Sequence, residues 1–347
     1  PYSPAGRTEL MSELVSDKVY YFGGYGINGA MNEFFYIDLT QPFYSFSPTY
    51  QFIKYLDFRG GASAISDANN IYVFGGYGSS GSPIRELYII QQLFSADPVI
   101  NYIQDTSSTP PMRKWHTSVI DHTNKKMYVW GGVKSLHSGP DITQGDGTMY
   151  IYDIEKSIWT SNPTPNQPIG RQLHTATFLP DGRIIMIGGA FSSDVGQLDV
   201  YDTKTNQWSN IVATTNNGVI PPIIFHSATL LPDNQSIIIY GGSNQTGYSG
   251  LAVLNLSSYV WTIISPIGRT PPLVSSGHKA TLYFDVIIFA FGEFPFNNSR
   301  YLIDNTVRIL NISNGQYRWK NRLREVRYVT ESNHEVRYVM ESNHEVR

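Results

Sequence analysis

The amino-acid sequence predicts an all-β protein made of repeated units, each with four antiparallel strands. A Gly-Gly pair follows a short apolar run five times, with its first glycine at positions 23, 75, 131, 188 and 241. The intervals of 52, 56, 57 and 53 residues are too long for a helical hairpin and suit four strands. Aromatic residues make up 14% of the chain and charged residues only 15%, as expected where large flat side chains pack between sheets.

A sixth, altered copy of the pair is assigned to Gly292-Glu293, which follows the apolar run IFAF. The repeats then run from about residue 7 to residue 320 without a break in composition. A chain of 347 residues would ordinarily suggest about two domains. The uninterrupted repeat instead predicts one domain over residues 1–320.

Each element of a unit has its own signal in the sequence. The first strand begins at a small residue or a histidine, and four units have histidine there: His116, His174, His226 and His278. The second strand is the apolar run before the glycines, which tolerate a close approach of neighbouring backbone. The third strand ends in Asp or Asn, which can cap the following turn. An aromatic residue seven positions later is predicted to fill the wedge between sheets, in the pairs Tyr152/Trp159, Tyr201/Trp208, Leu254/Trp261, Ile37/Tyr44 and Leu310/Tyr317.

This combination of a Gly-Gly doublet, a later Tyr and a spaced Trp resembles the kelch repeat. The match covers six repeats and about nine tenths of the chain. The resemblance implies a six-bladed β-propeller similar to the central domain of galactose oxidase, with four-stranded blades around a channel. The FGG-rich, Asn-rich and cysteine-poor style is similar to that of fungal kelch proteins.

The two ends of the repeat region can each complete a blade. Residues 7–18 can supply the first strand of the first blade, and residues 316–320 the last strand of the sixth. Residues 321–347 carry the decapeptide EVRYVTESNH, repeated almost unchanged. Its period matches neither strands nor helices, so we expect a disordered tail.

Long loops are predicted to gather on one face of the propeller. The loops between strands 1 and 2 and between strands 3 and 4 share one face and are tight, whereas the 2–3 and 4–1 loops share the other and are longer. We therefore expect any binding site on the loop-rich face. The candidate contact residues there are Arg113, Trp115, His137, Asp141, Asp146, Phe191, Tyr248, Phe294 and Phe296.

A structural role is the alternative for each of these candidates. The aromatic side chains would then pack loops onto blades, and Asp141 and Asp146 would lie in a solvated loop. Arg59, Arg113 and Arg171 occupy corresponding positions, where they could ring the channel and attract an anion, or form ion pairs or backbone hydrogen bonds at blade junctions.

The sequence names no catalytic group and no cofactor. The chain has no cysteine, which excludes disulfides, thiolate metal sites and the Tyr-Cys copper centre that the galactose oxidase resemblance would imply. The acidic and histidine series of the iron-dependent plant specifier proteins is also missing. Four histidines placed one per blade lie too far apart to hold one metal ion. These observations favour a protein without catalytic activity, and an enzyme with an unrecognised site is the less favoured interpretation.

The leading functional hypothesis is a protein-binding module that acts through the loop-rich face. The alternative is a secreted or cell-surface glycan-binding propeller, suggested by five Asn-x-Ser/Thr sequons. These begin at Asn234, Asn244, Asn255, Asn297 and Asn311. If the chain is exported, they predict a glycoprotein.

Charge and hydropathy limit the remaining partners. A net charge of -3 offers no basic surface for nucleic acid, and no apolar run approaches the length of a membrane span. The chain begins at Pro1, so we expect an N-terminally incomplete segment. Its compartment stays open between secreted or cell-surface and cytoplasmic.

Overall fold

The structure is a computed structural model that describes residues 2–60, 62–78, 84–103, 108–133, 145–190, 195–243, 250–268, 275–297, 300–323, 328–330 and 336–338. It is an all-β ring of six four-stranded blades, which confirms the predicted propeller. Within the described ranges, no helix is long and apolar enough to cross a membrane.

Each blade is an antiparallel sheet whose strands follow one another in chain order from the channel outward. The first blade comprises Met11–Val15, Lys18–Phe22, Glu33–Asp38 and Tyr50–Tyr55. The second comprises Ser63–Ser66, Ile71–Phe74, Leu87–Gln91 and Val99–Ile103. The third comprises Lys114–Asp121, Lys126–Val133, Met149–Asp153 and Ile158–Asn162. The fourth comprises Thr175–Phe178, Arg183–Ile187, Gln197–Asp202 and Gln207–Val212. The fifth comprises Ser227–Leu230, Ser236–Tyr240, Leu251–Asn255 and Val260–Ile264. The sixth comprises Lys279–Tyr283, Val286–Ala290, Val307–Asn311 and Arg318–Lys320.

Several short strands add to the four strands of each blade. Hairpins form from Tyr25–Gly26 with Gly29–Ala30, from Glu293–Asn297 with Arg300–Ile303, and from Tyr328–Thr330 with Val336–Tyr338. Thr214–Thr215 pairs in parallel with the outer strand of the fifth blade. A 3-10 turn covers Ser313–Gly315. Arg322–Leu323 pairs with Phe43–Tyr44 of the first blade, so the chain beyond residue 320 also joins the two ends of the ring.

The first strand of each blade, here called the inner strand, lies next to the inner strands of its two neighbours. The contact extends to Met11–Val15 of blade one and Lys279–Tyr283 of blade six, which closes the ring. Each blade is formed by one continuous stretch of chain, as the sequence predicts. Closure therefore depends on packing between the two terminal blades.

The hydrophobic core lies between neighbouring blades. The second strands are its centre: Val73, Ile185 and Ile239 are all 0% exposed. Aromatic residues of the outer strands fill the wedges, and in blades three, four and five these are the predicted Trp159, Trp208 and Trp261. Burying such large rings supplies much of the hydrophobic stabilisation at each junction.

The predicted wedge aromatics of blades one and six are wrong. Tyr50 lies opposite Ile37 and is 3% exposed, whereas the predicted Tyr44 is 47% exposed. In blade six Trp319, not Tyr317, lies opposite Leu310. A fixed offset of seven residues requires a tight 3–4 turn, and both blades have longer connections there.

The sixth doublet is also shifted by one residue from its predicted place. Ser227 pairs with Tyr240 in blade five and Lys279 with Ala290 in blade six, so the sixth pair is Phe291-Gly292. Phe291 has the φ of 63° of a first glycine, and its ring packs against Tyr21, Phe35 and Tyr50. An aromatic side chain thus replaces the glycine at the junction that closes the ring.

Candidate functional site

The central channel opens on the loop-rich face through a ring of backbone hydrogen bonds. The residues that form this ring occupy the same position in each repeat, one residue before the histidine position, and all have left-handed φ angles of 55–65°. They are Glu9, Trp115, Leu173, Phe225 and Gly277, here called the mouth ring; the equivalent residue 61 lies outside the described residues. Four of these N–H groups donate to the mouth-ring carbonyl of the preceding blade, with N···O distances of 2.9–3.1 Å: Leu173 to Trp115, Phe225 to Leu173, Gly277 to Phe225 and Glu9 to Gly277. The strained backbone is therefore fixed by its neighbours, and the mouth is rigid.

A layer of histidines lies directly below the mouth ring. His174 Nε2 is 2.9 Å from Thr117 Oγ1 of the preceding blade, and His226 Nε2 is 3.0 Å from Thr175 Oγ1. His278 Nε2 is 2.8 Å from Ser227 Oγ in the same arrangement. These bonds link neighbouring inner strands around the channel.

Burial keeps the layer uncharged. Desolvation lowers the pKa of His226 and of His278 to about 3, and that of His116 and His174 well below 6.5. An imidazole with so low a pKa is a poor general base at neutral pH. The hydroxyl–imidazole pairs therefore resemble nucleophile–base pairs in distance only.

Buried arginines hold the doublets in place. Arg7, Arg113 and Arg171 each donate from Nη1 to the carbonyl of their own blade's first glycine, with distances of 2.9–3.1 Å. Each also pairs with a carboxylate, as Arg113 does with Asp146 at 3.6 Å. Arg113 and Arg171 thus make the ion pairs and backbone hydrogen bonds that a structural role predicts. Arg59 occupies the same register and is half-buried.

A cavity of about 110 Å³ lies in the channel behind the mouth ring. Its walls include Leu10, Ala62, the four layer histidines and Lys279, and the mouth-ring side chains line its open end. Trp115 Nε1 donates to Glu9 Oε2 at 2.7 Å, a bond that spans from blade three to blade one. The indole and the carboxylate therefore partly cover the cavity.

Charged groups surround this indole. Lys114 Nζ lies 4.0 Å from the Trp115 ring centroid and 5.4 Å from that of Tyr77, in favourable cation–π positions. Desolvation raises the pKa of Glu9 and of Glu293, and burial lowers that of Lys279. The mouth thus combines flat aromatic surface with carboxylates and ammonium groups that are only partly hydrated.

The structure brings few of the predicted site residues together at this mouth. Trp115 is at its centre, and Phe294 is half-buried in the adjacent hairpin of blade six. Arg113 and Asp146 pair with each other, and Asp146 also accepts from Tyr150 at 2.6 Å. The predictions for His137, Asp141, Phe191 and Tyr248, and for the side chain of Phe296, lie outside the described residues.

Sequence reasoning missed Glu9, Lys114, Leu173, Phe225 and Glu293. Four of them could have been found from their position in the repeat. Glu9, Leu173 and Phe225 share the register of Trp115, one residue before the histidine position, and Lys114 precedes Trp115. The sequence assigns Glu293 as the altered second glycine of the sixth doublet. In the structure it is the residue that follows the doublet Phe291-Gly292.

The sequons differ in exposure. Asn234 and Asn255 are exposed at tight turns of blade five. Asn311 is half-buried, and its Nδ2 donates to Asp285 and to Ser313. Asn244 and the side chain of Asn297 lie outside the described residues.

The architecture defines the class as a six-bladed propeller of the kelch type. The KLHDC2/KLHL20/DRC7 kelch-repeats domain family matches residues 61–293, and the chain belongs to this family. In fold it is similar to the solved structure of YjhT, with a TM-score of 0.68 at 14% identity over 92% of this chain and 99% of that one.

Two relatives extend the likeness in sequence. Acyl-CoA-binding domain-containing protein 4 of Arabidopsis thaliana is 23% identical over 88% of this chain and 45% of its own length. Kelch domain-containing protein 1 of Homo sapiens is 24% identical over 69% of this chain and 62% of its own length. The chain thus spans only 45% and 62% of the lengths of these two relatives. Kelch propellers commonly serve as protein-interaction modules, which supports a binding role.

Proposed function

We propose that the chain is a non-catalytic module that binds a protein through its loop-rich face, with the channel mouth as the centre of the contact. The observation that carries the proposal is the arrangement around Trp115. Its backbone is fixed in the mouth ring and its indole is held by Glu9, so little conformational entropy is lost when a partner packs on it. Rigid aromatic side chains are frequent hot spots of protein interfaces.

The surroundings of Trp115 also suit an interface. Phe225 and Leu173 add half-buried apolar surface, and Glu293 adds a half-buried carboxylate. An apolar centre with charged groups at its edge is the usual composition of a protein-binding patch. The low pKa of the layer histidines argues against catalysis at the same place.

The test is a pair of charge reversals on opposite faces. Glu293→Lys changes the mouth, and Glu155→Lys is the matched control at an exposed turn of the tight face. We expect proteins captured from cell extract by the unmodified chain to be retained by Glu155→Lys. They should be lost or reduced at least about tenfold with Glu293→Lys and with Trp115→Ala. Equal capture by all variants, or turnover of a small substrate by the purified chain, would reject the proposal.

The alternative of a secreted or cell-surface glycan-binding propeller is supported by the exposure of Asn234 and Asn255. A mobility shift on glycosidase treatment of the natural protein would support export. Substitution of Asn234 and Asn255 should then remove part of that shift.

A further inference from the structure

On the face opposite the mouth, the longest connection between a third and a fourth strand is that of blade one. In blade one the third and fourth strands are joined by eleven residues, 39–49, whereas blades three, four and five use four. This connection contains Pro42, Phe43, Tyr44 and Phe46. The prediction that the loops of this face are tight is wrong for blade one, and the connections of blades two and six, with seven and six residues, are also longer than four.

A cavity of about 160 Å³ lies between this connection and the blade. Its lining residues are Tyr36, Asp38, Gln41, Pro42, Phe43, Thr49 and Gln51. We call it the blade-one pocket. An artificial cavity of roughly 150 Å³ holds one benzene ring, so this volume suits one six-membered ring.

The strand register arranges polar groups along one wall of the pocket. Tyr36 and Gln51 are direct cross-strand partners. Asp38 lies two residues after Tyr36, and Thr49 lies two residues before Gln51. Both therefore project from the same side of the sheet as these partners. A carboxylate, a carboxamide, a hydroxyl and a phenol therefore line one wall, and Gln41 supplies a second carboxamide from the connection.

Two of these groups are held in place before any ligand binds. Asp38 accepts from the Thr40 N–H at 3.0 Å and from Thr40 Oγ1 at 2.6 Å, and both bonds use its Oδ1. Oδ2 is therefore oriented and can accept from a ligand. The Tyr36 ring lies 4.6 Å from Lys18 Nζ and 5.6 Å from the Tyr20 ring, contacts that fix its plane.

The charges and donors select the kind of ligand. Asp38 disfavours an anion, and Lys18, its cross-strand partner, disfavours a cation. Carboxamides, hydroxyl and phenol both donate and accept hydrogen bonds, as the hydroxyl groups of a neutral ligand require. Addition of a peptide strand here is disfavoured because Tyr2 already bridges to Tyr50 on the outer strand. Pro42 and Phe43 offer apolar contact for the C–H groups of a ring.

We infer that the blade-one pocket binds one pyranose unit of a neutral carbohydrate. The Asp38 carboxylate accepts from hydroxyl groups of the sugar, and Gln41 and Gln51 complete its hydrogen bonds. This site is separate from the mouth, on the opposite face, and its ligand belongs to a different chemical class. It does not depend on the protein-binding proposal.

The test is saturation-transfer NMR of the full chain with the methyl glycosides of glucose, galactose, mannose and N-acetylglucosamine at millimolar concentration. We expect at least one glycoside to receive saturation from the protein. Gln51→Ala should weaken its affinity roughly five- to tenfold, the effect of one lost hydrogen bond. Asp38→Asn, which keeps an oxygen for Thr40 but replaces the second acceptor by a donor, should weaken it by at least as much.

Gln207→Ala is the matched control, since Gln207 is an exposed glutamine on the outer strand of blade four. It should leave the transfer unchanged, and circular dichroism should show that all variants fold. No transfer to any of the four glycosides would overturn the inference. So would transfer that Gln51→Ala and Asp38→Asn leave intact, or that Gln207→Ala reduces equally.

Discussion

At the scale of the residue, the glycine doublet is explained by the histidines on either side of it. A Cβ on Gly188 would lie 2.8 Å from Cε1 of His226 in the next blade and 2.7 Å from the Ile223 carbonyl oxygen. A Cβ on Gly189 would lie 2.7 Å from the Cβ of His174 in its own blade. The same contacts recur with His174 for Gly131. Glycine is thus required by the neighbouring blade as well as by its positive φ.

This packing predicts the cost of adding one methyl group. Gly188→Ala should lower the free energy of unfolding by about 2 kcal/mol or more, because left-handed strain adds to steric overlap. Gly315→Ala is the matched control: its φ is 69°, close to the 61° of Gly188, but a Cβ there would meet no atom within 4 Å. It should cost only about 1 kcal/mol. Urea unfolding measures both, and equal costs would mean that conformation alone, without the histidine contact, requires the glycine.

At the scale of the element, the inner strands form a ring of uncharged histidines that makes stability depend on pH. The four imidazoles stay neutral when folded but titrate near pH 6.5 when unfolded. Below that pH the unfolded chain binds more protons, so their contribution is complete above about pH 6.5 and is lost as the pH falls towards 3. Glu13 opposes this trend, because desolvation raises its pKa to about 7 and the folded chain binds its proton first.

Replacing one of these histidines should lower by one the number of protons that the chain takes up on unfolding at acidic pH. Between pH 4.5 and 6, His226→Asn should have a slope of unfolding free energy against pH that is smaller than that of the unmodified chain by about 1.4 kcal/mol per unit. His122→Asn is the control, since His122 is exposed on a turn and solvent reaches it in both states. Urea unfolding at several pH values gives the slopes. Parallel curves for His226→Asn and the unmodified chain would contradict a neutral buried histidine.

Sequence periodicity predicted the strands well because each unit repeats the same burial pattern. It failed for the wedge aromatics where turn length varies, as Tyr44 and Tyr317 show. The mouth was harder still. Trp115 was found as an aromatic residue near a long loop, but Glu9 and Phe225 act through left-handed backbone and bonds between blades. Residue identity does not encode such contacts, which arise only when separate repeats meet.

At the scale of the whole molecule, the ring is closed by residues that do not follow the repeat pattern. Phe291 fills the junction between blades six and one, and Arg7 lies 4.9 Å from the Phe35 ring and 5.8 Å from that of Phe291. Residues after the last blade strand take part as well. The Ser45 N–H donates to the Asn321 carbonyl at 2.8 Å, and Leu323 is 1% exposed within the core of the same junction. The sequence predicts that the domain ends at residue 320. The contacts of Asn321 and Leu323 allow this boundary to be tested.

Two truncated chains compare the boundary directly, one ending at residue 320 and one ending at residue 324. The shorter chain should have an unfolding free energy about 3 kcal/mol lower, because it loses a buried leucine and the pairing of Arg322–Leu323 with Phe43–Tyr44. Leu323→Ala in the full chain should reproduce most of that loss, since it removes the side chain and keeps the backbone pairing. Urea unfolding provides the three values. Equal stability of the two truncated chains would instead mean that the ring is closed by the inner strands and by Phe291 alone, and that the domain ends at residue 320.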